Sequence, residues 1–406
     1  MESQFGWTLL SRDALRRAES QLHEDTEGVR DEIGFLALHQ AYADRFFPGT
    51  SVLHTRLRYV LFVPWMYEKL ARHHARQRIA DLLQKEELEL TRRLLHLGEK
   101  QGIIGGRNYP KPTAQPPSMI YWSALGAWRI LRPLDSGVFP SRRTVHRTIA
   151  RKEARQQLRD EDKQLLIEDE PLFGALPAAP DEWHAVHENL DFVLQPNEQQ
   201  FLRACLLTVS RPDSESTPAL LARLVETNVS LGNRESLWST KVSSVADSAD
   251  KSALRRARQA AALAAIGRGV YAAMVEEMRD RYDGVSTQDV HRQRLPGVCE
   301  EHSAQALLLK IDDVVADAPH MPGGILEVLR ATQEWLSHER RDVMSLHDFY
   351  EQAEYRRKGR RARLTKSLAG RAKRSEWTPE DSAEAEPLHY RWRQVRQLLI
   401  DLQEVA

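Results

Sequence analysis

Ten Lys or Arg and no Asp or Glu lie between Arg356 and Arg374, in the string R-R-K-G-R-R-A-R-L-T-K-S-L-A-G-R-A-K-R. The whole chain carries 58 basic and 58 acidic residues, so this excess is local. Arg356, Arg357, Lys358, Arg360, Arg361, Arg363, Lys366, Arg371, Lys373 and Arg374 together suit phosphate, which points to nucleic acid as a partner. On a helix they would surround the axis, and Gly359 and Gly370 weaken any helix there, so a partly ordered arm is expected. The competing expectation is internal pairing, because Glu376, Glu380, Asp381, Glu384 and Glu386 follow at once.

A second basic cluster comprises Arg142, Arg143, Arg147, Arg151 and Lys152, with His146 among them. Arg143, Arg147 and Arg151 stand at i, i+4 and i+8, which lines one side of a helix. A tryptophan-rich helix precedes it, and two short helices with a basic second one suit a helix-turn-helix or winged-helix module. The plainer alternative is a charged surface helix balanced by Asp160 to Asp162.

Chemistry beyond phosphate contact has little support. There is no G-x-x-x-x-G-K-[ST], H-E-x-x-H, G-x-S-x-G or H-x-K of the phospholipase-D type. The Gly102 to Gly106 run lacks the lysine and hydroxyl of a phosphate cradle and reads as a turn closing a helix. Glu161-Asp162-Lys163 is a [DE]-x-K triplet in a helical, charge-mixed stretch and reads as surface. His73 and His74 are adjacent and point to different faces, whereas His184 and His187, at i and i+3, share one. Glu300, Glu301 and His302 with Asp312 and Asp313 have the types for acid/base or metal work, though Asp and Glu also simply favour first turns. No catalytic residue, metal ligand or cofactor is assigned from the sequence.

The elements that must position these residues are helices. The patterns predict helices over Ser11–Glu24, over Val29–Phe47 ending at Pro48-Gly49, and over Val52–Tyr67, capped by Thr50 or Ser51. A long charged helix follows over Glu68–Lys100, with Ile79, Leu82, Leu83, Leu90, Leu94 and Leu97 on one face. Further helices are expected over Ser118–Leu131, Ser141–Ile167, Asn197–Ser210, Thr217–Thr227 and Asp250–Asp283. Others begin at Glu301, Gly324 and Ser345, and the last runs over Leu388–Leu402. Prolines at 110, 112, 116 and 117 and the acidic, proline-bearing stretch 168–180 mark linkers. The division drawn on these signals is an N-terminal helical domain 1–108, a winged-helix-like or helical module 109–180, a central helical domain 181–290, and a C-terminal helical domain 291–406 with the basic arm.

The 406 residues, 41% hydrophobic and 29% charged, suit a folded multidomain protein. Cys205 and Cys299 cannot build a disulfide framework, and a reducing compartment fits. The opening M-E-S-Q-F-G-W lacks a secretory pattern, and the most apolar stretch, Tyr59 to Met66, falls far short of the ~18 residues of a membrane span. A cytoplasmic location is expected.

Several strings together resemble the bacterial domain-of-unknown-function 6361 family. They are Phe5-Gly6-Trp7, Asp31-Glu32-Ile33-Gly34, and Phe47-Pro48-Gly49-Thr50-Ser51 running on through Thr55-Arg56-Leu57-Arg58-Tyr59 to Phe62-Val63-Pro64-Trp65. Pro117-Ser118-Met119-Ile120-Tyr121-Trp122 is a second hallmark. Leu220 to Leu224, the helix around Arg258 to Glu276, and Tyr390-Arg391-Trp392 are looser matches, and Arg356 to Arg374 aligns with no family string. The resemblance implies a setting beside helicases and phospholipase-D-like nucleases in regions resembling anti-phage defence loci. Within it, Arg56 and Arg58 beside Thr50-Ser51 could hold a phosphate at a helix N-terminus, or anchor the apolar segment that follows.

The expectation is therefore a mostly α, multidomain helical protein with room for one small winged-helix-like element. Its expected role is a DNA-binding or adaptor subunit, without its own chemistry, of a bacterial defence complex with a helicase or nuclease. The rivals are a metal-dependent nuclease whose carboxylates converge only in the fold, and a protein–protein scaffold whose basic clusters dock acidic partners.

Overall fold

A computed structural model describes residues 33–72, 78–155, 171–286, 288–318, 321–338, 342–378 and 385–404. The chain is mostly helical, as its periodicity predicts. In order, the longer elements are α1 (Phe35–Phe46), α2 (Tyr59–Arg72), α3 (Ile79–Leu94), α4 (Arg142–Arg155) and α5 (Pro196–Leu207). A hairpin of β1 (Ser210–Arg211) and β2 (Ser214–Pro218) precedes α6 (Leu220–Glu226) and α7 (Ser248–Met278). Then come α8 (Val290–Ala306), α9 (Gly323–Leu336), α10 (His347–Lys358), α11 (Leu368–Ser375) and α12 (Trp392–Gln403). Among the described residues of 109–180 the only β pairing is a single bridge between Leu131 and Phe173. The predicted helix Ser11–Glu24, His73-His74 and Glu161-Asp162-Lys163 lie outside the described residues.

The chain gathers into two compact units. One contains the described residues of Met1–Tyr42 and Ser252–His389, the other those of Ala43–Lys251 and Tyr390–Ala406.

In the second unit the core is built on α2, whose residues Tyr59 through Tyr67 are all buried, Pro64 among them. A helix apolar all round is a core helix. It begins at Tyr59 rather than Val52 because the hydroxyls at 50 and 51 act elsewhere. Thr50 Oγ1 donates to the Phe47 carbonyl (2.7 Å), closing the preceding helix. Ser51 Oγ accepts from the Leu53 N–H (3.2 Å), holding a turn. The predicted charged helix 68–100 is two elements, α2 ending at Arg72 and α3 starting at Ile79, and α3 buries Ile79, Leu83, Leu90 and Leu94 as the stripe requires. The glycines after it do turn the chain: Gly102 and Gly105 both have φ of +80°.

The two family-like strings pack on each other here. Gly49, at φ +81°, would place a Cβ 2.6 Å from Ala127 Cβ and 2.9 Å from the Trp128 indole nitrogen, so no side chain fits. That indole donates to the Pro48 carbonyl (3.0 Å). The His54 ring stacks on Tyr121 with centroids 4.2 Å apart. The Tyr121 hydroxyl accepts from the Thr55 and Arg56 N–H groups and donates to the Arg56 carbonyl.

In the first unit, α7 from Ser252 onward is the central post. Ala257, Ala260, Ala261, Leu263, Ala264, Ile266, Val270, Met274 and Met278 are buried along it. The alanines permit close approach of neighbouring helices, as the 3-4 spacing predicts. Other helices of this unit are α8, α9, α10 and α11, with the shorter helix Ile311–Asp317 between α8 and α9.

Candidate nucleic-acid interface

The basic block is an ordered arch, not a loose arm. It comprises the end of α10, a 3-10 turn at Gly359–Arg361, an extended passage, and α11. Two buried charges hold it. Glu354, fully buried, accepts from the Tyr271 hydroxyl (2.7 Å) and the Leu364 N–H (2.8 Å). Burial pushes its carboxyl above the usual range, with these bonds opposing. Arg374, 1% exposed, grips Asp283 with two nitrogens at 2.7 Å each and also donates to the Thr365 carbonyl (2.7 Å) and the Arg363 carbonyl. Gly370 sits where a Cβ would lie 2.3 Å from the Thr365 carbonyl oxygen. Ala362 and Leu364 are fully buried beneath the turn.

With the arch tied down from below, Arg356, Arg360, Arg361, Lys366 and Arg371 are exposed. Arg357, Lys358, Arg363 and Lys373 are half-buried. Arg356 faces Glu327 across a half-exposed contact of 3.5 Å, and Lys373 pairs with Glu376 (2.7 Å). Lys366 lies over the Tyr282 ring, 5.1 Å from its centroid, and Arg371 donates to the Asp283 carbonyl (3.2 Å). Tyr282 and Tyr355 are themselves about half exposed, at 48% and 54%. Cations with exposed aromatic faces between them are what single-stranded or flexible nucleic acid is held by. Of the acidic residues expected to fold back, Glu376 does so on Lys373, whereas Glu380, Asp381 and Glu384 lie outside the described residues. Arg374 is corrected from a phosphate contact to a buried staple, because Asp283 and two carbonyls consume its donors.

In the other unit the α4 stripe is as its spacing predicts. Arg143, Arg147 and Arg151 are solvent-facing, while Val145 and Ile149 on the opposite side are buried. Lys152 lies on the same helix. Arg142 departs from the stripe. It lines a pocket of about 220 Å³ with Glu87, Thr91, Lys111 and Pro117. Glu87 accepts the Ser118 N–H (3.0 Å), and burial raises its carboxyl's pKa. The Tyr67 hydroxyl meets His146 Nε2 at 2.9 Å, and burial pushes it up to about 12. Nothing in the spacing of Glu87 marks it; the return of the chain through 111–117 closes the pocket over α3.

Arg56 and Arg58 do not face solvent phosphate. Arg56 Nε contacts both Asp401 oxygens (2.9 and 3.0 Å), and the same carboxylate accepts the Leu57 N–H (2.7 Å). Arg58, 4% exposed, reaches Asp191 (2.9 Å) and the fully buried Glu198 (2.9 Å). The expectation that these two contact nucleic acid is therefore replaced by the anchoring role: each guanidinium is held by a carboxylate distant in sequence. Burial raises the Asp401 pKa, with Arg56 pulling it back.

The carboxylates of the nuclease rival are not gathered into one group of three ligands among the described residues. Glu300 and Glu301 are exposed, and Asp312 pairs with Arg330 (2.7 Å). His184 and His187 are exposed. A different trio, His347, Asp348 and Glu351, does converge; its i, i+1, i+4 spacing on α10 is the signal the sequence offered for it.

The chain belongs to the family of unknown function DUF6361, which it matches over residues 3–275. No curated protein and no solved structure matches it. No helix among the described residues is long and apolar enough to cross a membrane.

Proposed function

We propose that this protein binds nucleic acid, DNA foremost, through the exposed cations of the 356–371 arch, with the α4 stripe as a separate contact. The observation that supports this best is that Arg356, Arg360, Arg361, Lys366 and Arg371 stay exposed on an ordered scaffold, beside Tyr282 and Tyr355. Phosphate contacts position a protein without specifying sequence, so binding is expected to be sequence-tolerant. In this reading the protein is a DNA-binding or adaptor subunit. Its work beside a helicase or a phospholipase-D-like nuclease in anti-phage defence rests on the family resemblance alone.

The test is charge reversal at Arg356, Arg360 and Arg361, followed by DNA affinity and circular dichroism of the full chain. The expected result is a loss of binding of tenfold or more, on the order of 1.4 kcal/mol, with the helical spectrum intact. Unchanged affinity would overturn the reading and favour a protein–protein scaffold.

A further inference from the structure

We propose that His347 Nδ1 and the carboxylates of Asp348 and Glu351 form a binding site for a first-row divalent cation of the zinc class. Three potential ligand atoms, one from each residue, lie within 4.8 Å of one another. His347 Nδ1 is 3.2 Å from an Asp348 oxygen and 3.7 Å from a Glu351 oxygen. A tetrahedral ion with ligand bonds of about 2.0–2.1 Å holds its ligand atoms roughly 3.3–3.4 Å apart, so small side-chain adjustments close the site.

The histidine supplies the independent observation. It is 4% exposed, and its Nε2 lies 2.9 Å from the carbonyl oxygen of the buried Leu364. A carbonyl only accepts, so Nε2 carries a hydrogen, and Nδ1 is left facing two carboxylates, which also only accept. A ring nitrogen and two carboxylate oxygens gathered at one point are a ligand set that a cation can bridge. A ring nitrogen held by a backbone carbonyl while its other nitrogen ligates is the usual outer support of a metal-bound histidine. Among the described residues, neither Asp348 nor Glu351 pairs with Lys or Arg.

The open side of the trio is a groove lined by Asp348, Glu351, Gln352, Tyr355 and Thr365. Remaining coordination positions would face it, where an oxyanion could enter. Two carboxylates beside a basic arch would repel phosphate, and a bound dication reverses that sign. One nitrogen and two oxygens suit zinc better than magnesium, which prefers six oxygens. The proposal stands apart from the nucleic-acid reading because metal binding is measured without nucleic acid.

The experiment is calorimetric titration of the metal-stripped full chain with Zn²⁺ and separately with Mg²⁺, on the parent and on Asp348→Asn, Glu351→Gln and the double variant. Asp348 is exposed and Glu351 half-buried, so these variants keep the fold, which circular dichroism checks, whereas His347→Ala would also disturb Leu364. The expected result is one equivalent of Zn²⁺ bound at least about a hundredfold more tightly than Mg²⁺. Each single variant should weaken it about tenfold or more, and the double variant should abolish it. Control substitution Asp312→Asn should leave it unchanged. Zinc stoichiometry and affinity that are the same in the parent and the double variant, or no binding by the parent, would overturn the proposal; the trio would then be only a hydrogen-bonded cluster at the start of α10.

Discussion

Arg56 and Arg58 in one unit, and the block from Arg356 to Arg374 in the other, look alike as sequence and differ in what meets them. Each of the first two is met by a carboxylate that is itself nearly or fully buried, Asp401 or Glu198. In the block, Arg374 meets such a carboxylate at Asp283 and Lys358 reaches another at Glu354 (3.7 Å), while five of their neighbours are exposed. The density of arginine is therefore a poor guide to its use. A buried ion pair specifies how segments dock, and breaking it leaves an uncompensated charge. An exposed cation costs the fold little to change.

The largest effect expected from this contrast is on stability in the first pair. Arg58→Ala would strand the fully buried Glu198 and should cost about 3–5 kcal/mol. Arg360→Ala should change stability by no more than about 0.5 kcal/mol. Urea denaturation of both variants reads the difference, and equal midpoints would break the comparison.

The next effect concerns acid. His54, stacked on Tyr121 with Nε2 3.2 Å from the Ile120 carbonyl, is held by burial near a pKa of about 3, well below its ordinary value. Above pH 6.5 the ring is neutral in folded and unfolded chains alike, and its stabilising packing is fully present. As pH falls below 6.5 the unfolded chain takes up a proton that the fold refuses, and stability declines until about pH 3. The loss attributable to this group reaches on the order of 5 kcal/mol. Denaturation from about pH 7 to about pH 4 should show a shallower decline in His54→Phe, which keeps an aromatic ring and removes the titration. An identical decline in both proteins would contradict this placement.

A smaller effect sharpens the role of the arch. Gly370→Ala forces a methyl against the Thr365 carbonyl oxygen and should cost about 1–3 kcal/mol. Hydrogen exchange should quicken across 362–375, and DNA affinity should fall although no cation has been removed. Unchanged exchange would show that the arch is not tied down as described. The smallest effect is expected at α4, where replacing Arg143, Arg147 or Arg151 by Ala should flatten the salt dependence of DNA binding by about 0.9 for each phosphate left without its cation.

The sequence made the helices legible where apolar spacing was strong. The stripe Ile79, Leu83, Leu90 and Leu94, the long helix ending near Asp283, and the solvent-facing run Arg143, Arg147 and Arg151 are as the spacing predicts. It also contained the string of residues that builds the arch. What it could not show depends on partners far along the chain: Asp401 against Arg56, Glu198 against Arg58, Asp283 against Arg374. Local pattern carries no information about a carboxylate 345 positions away, as Asp401 is from Arg56. The start of α2 is not legible for a related reason, since the hydroxyls of Thr50 and Ser51 can close one turn as well as open the next helix. The hairpin at 210–218 is too short and too polar to register as strands.

The most direct test of the central claim is DNA affinity of the full chain across a salt series, with and without Arg360→Ala, Arg361→Ala and Lys366→Ala together. If the five exposed cations of the arch contact phosphate, they should contribute about −4.5 to the slope of log K against log salt, and the triple variant should be flatter by about 2.7. A slope near zero in both, or the same steep slope in both, would contradict it.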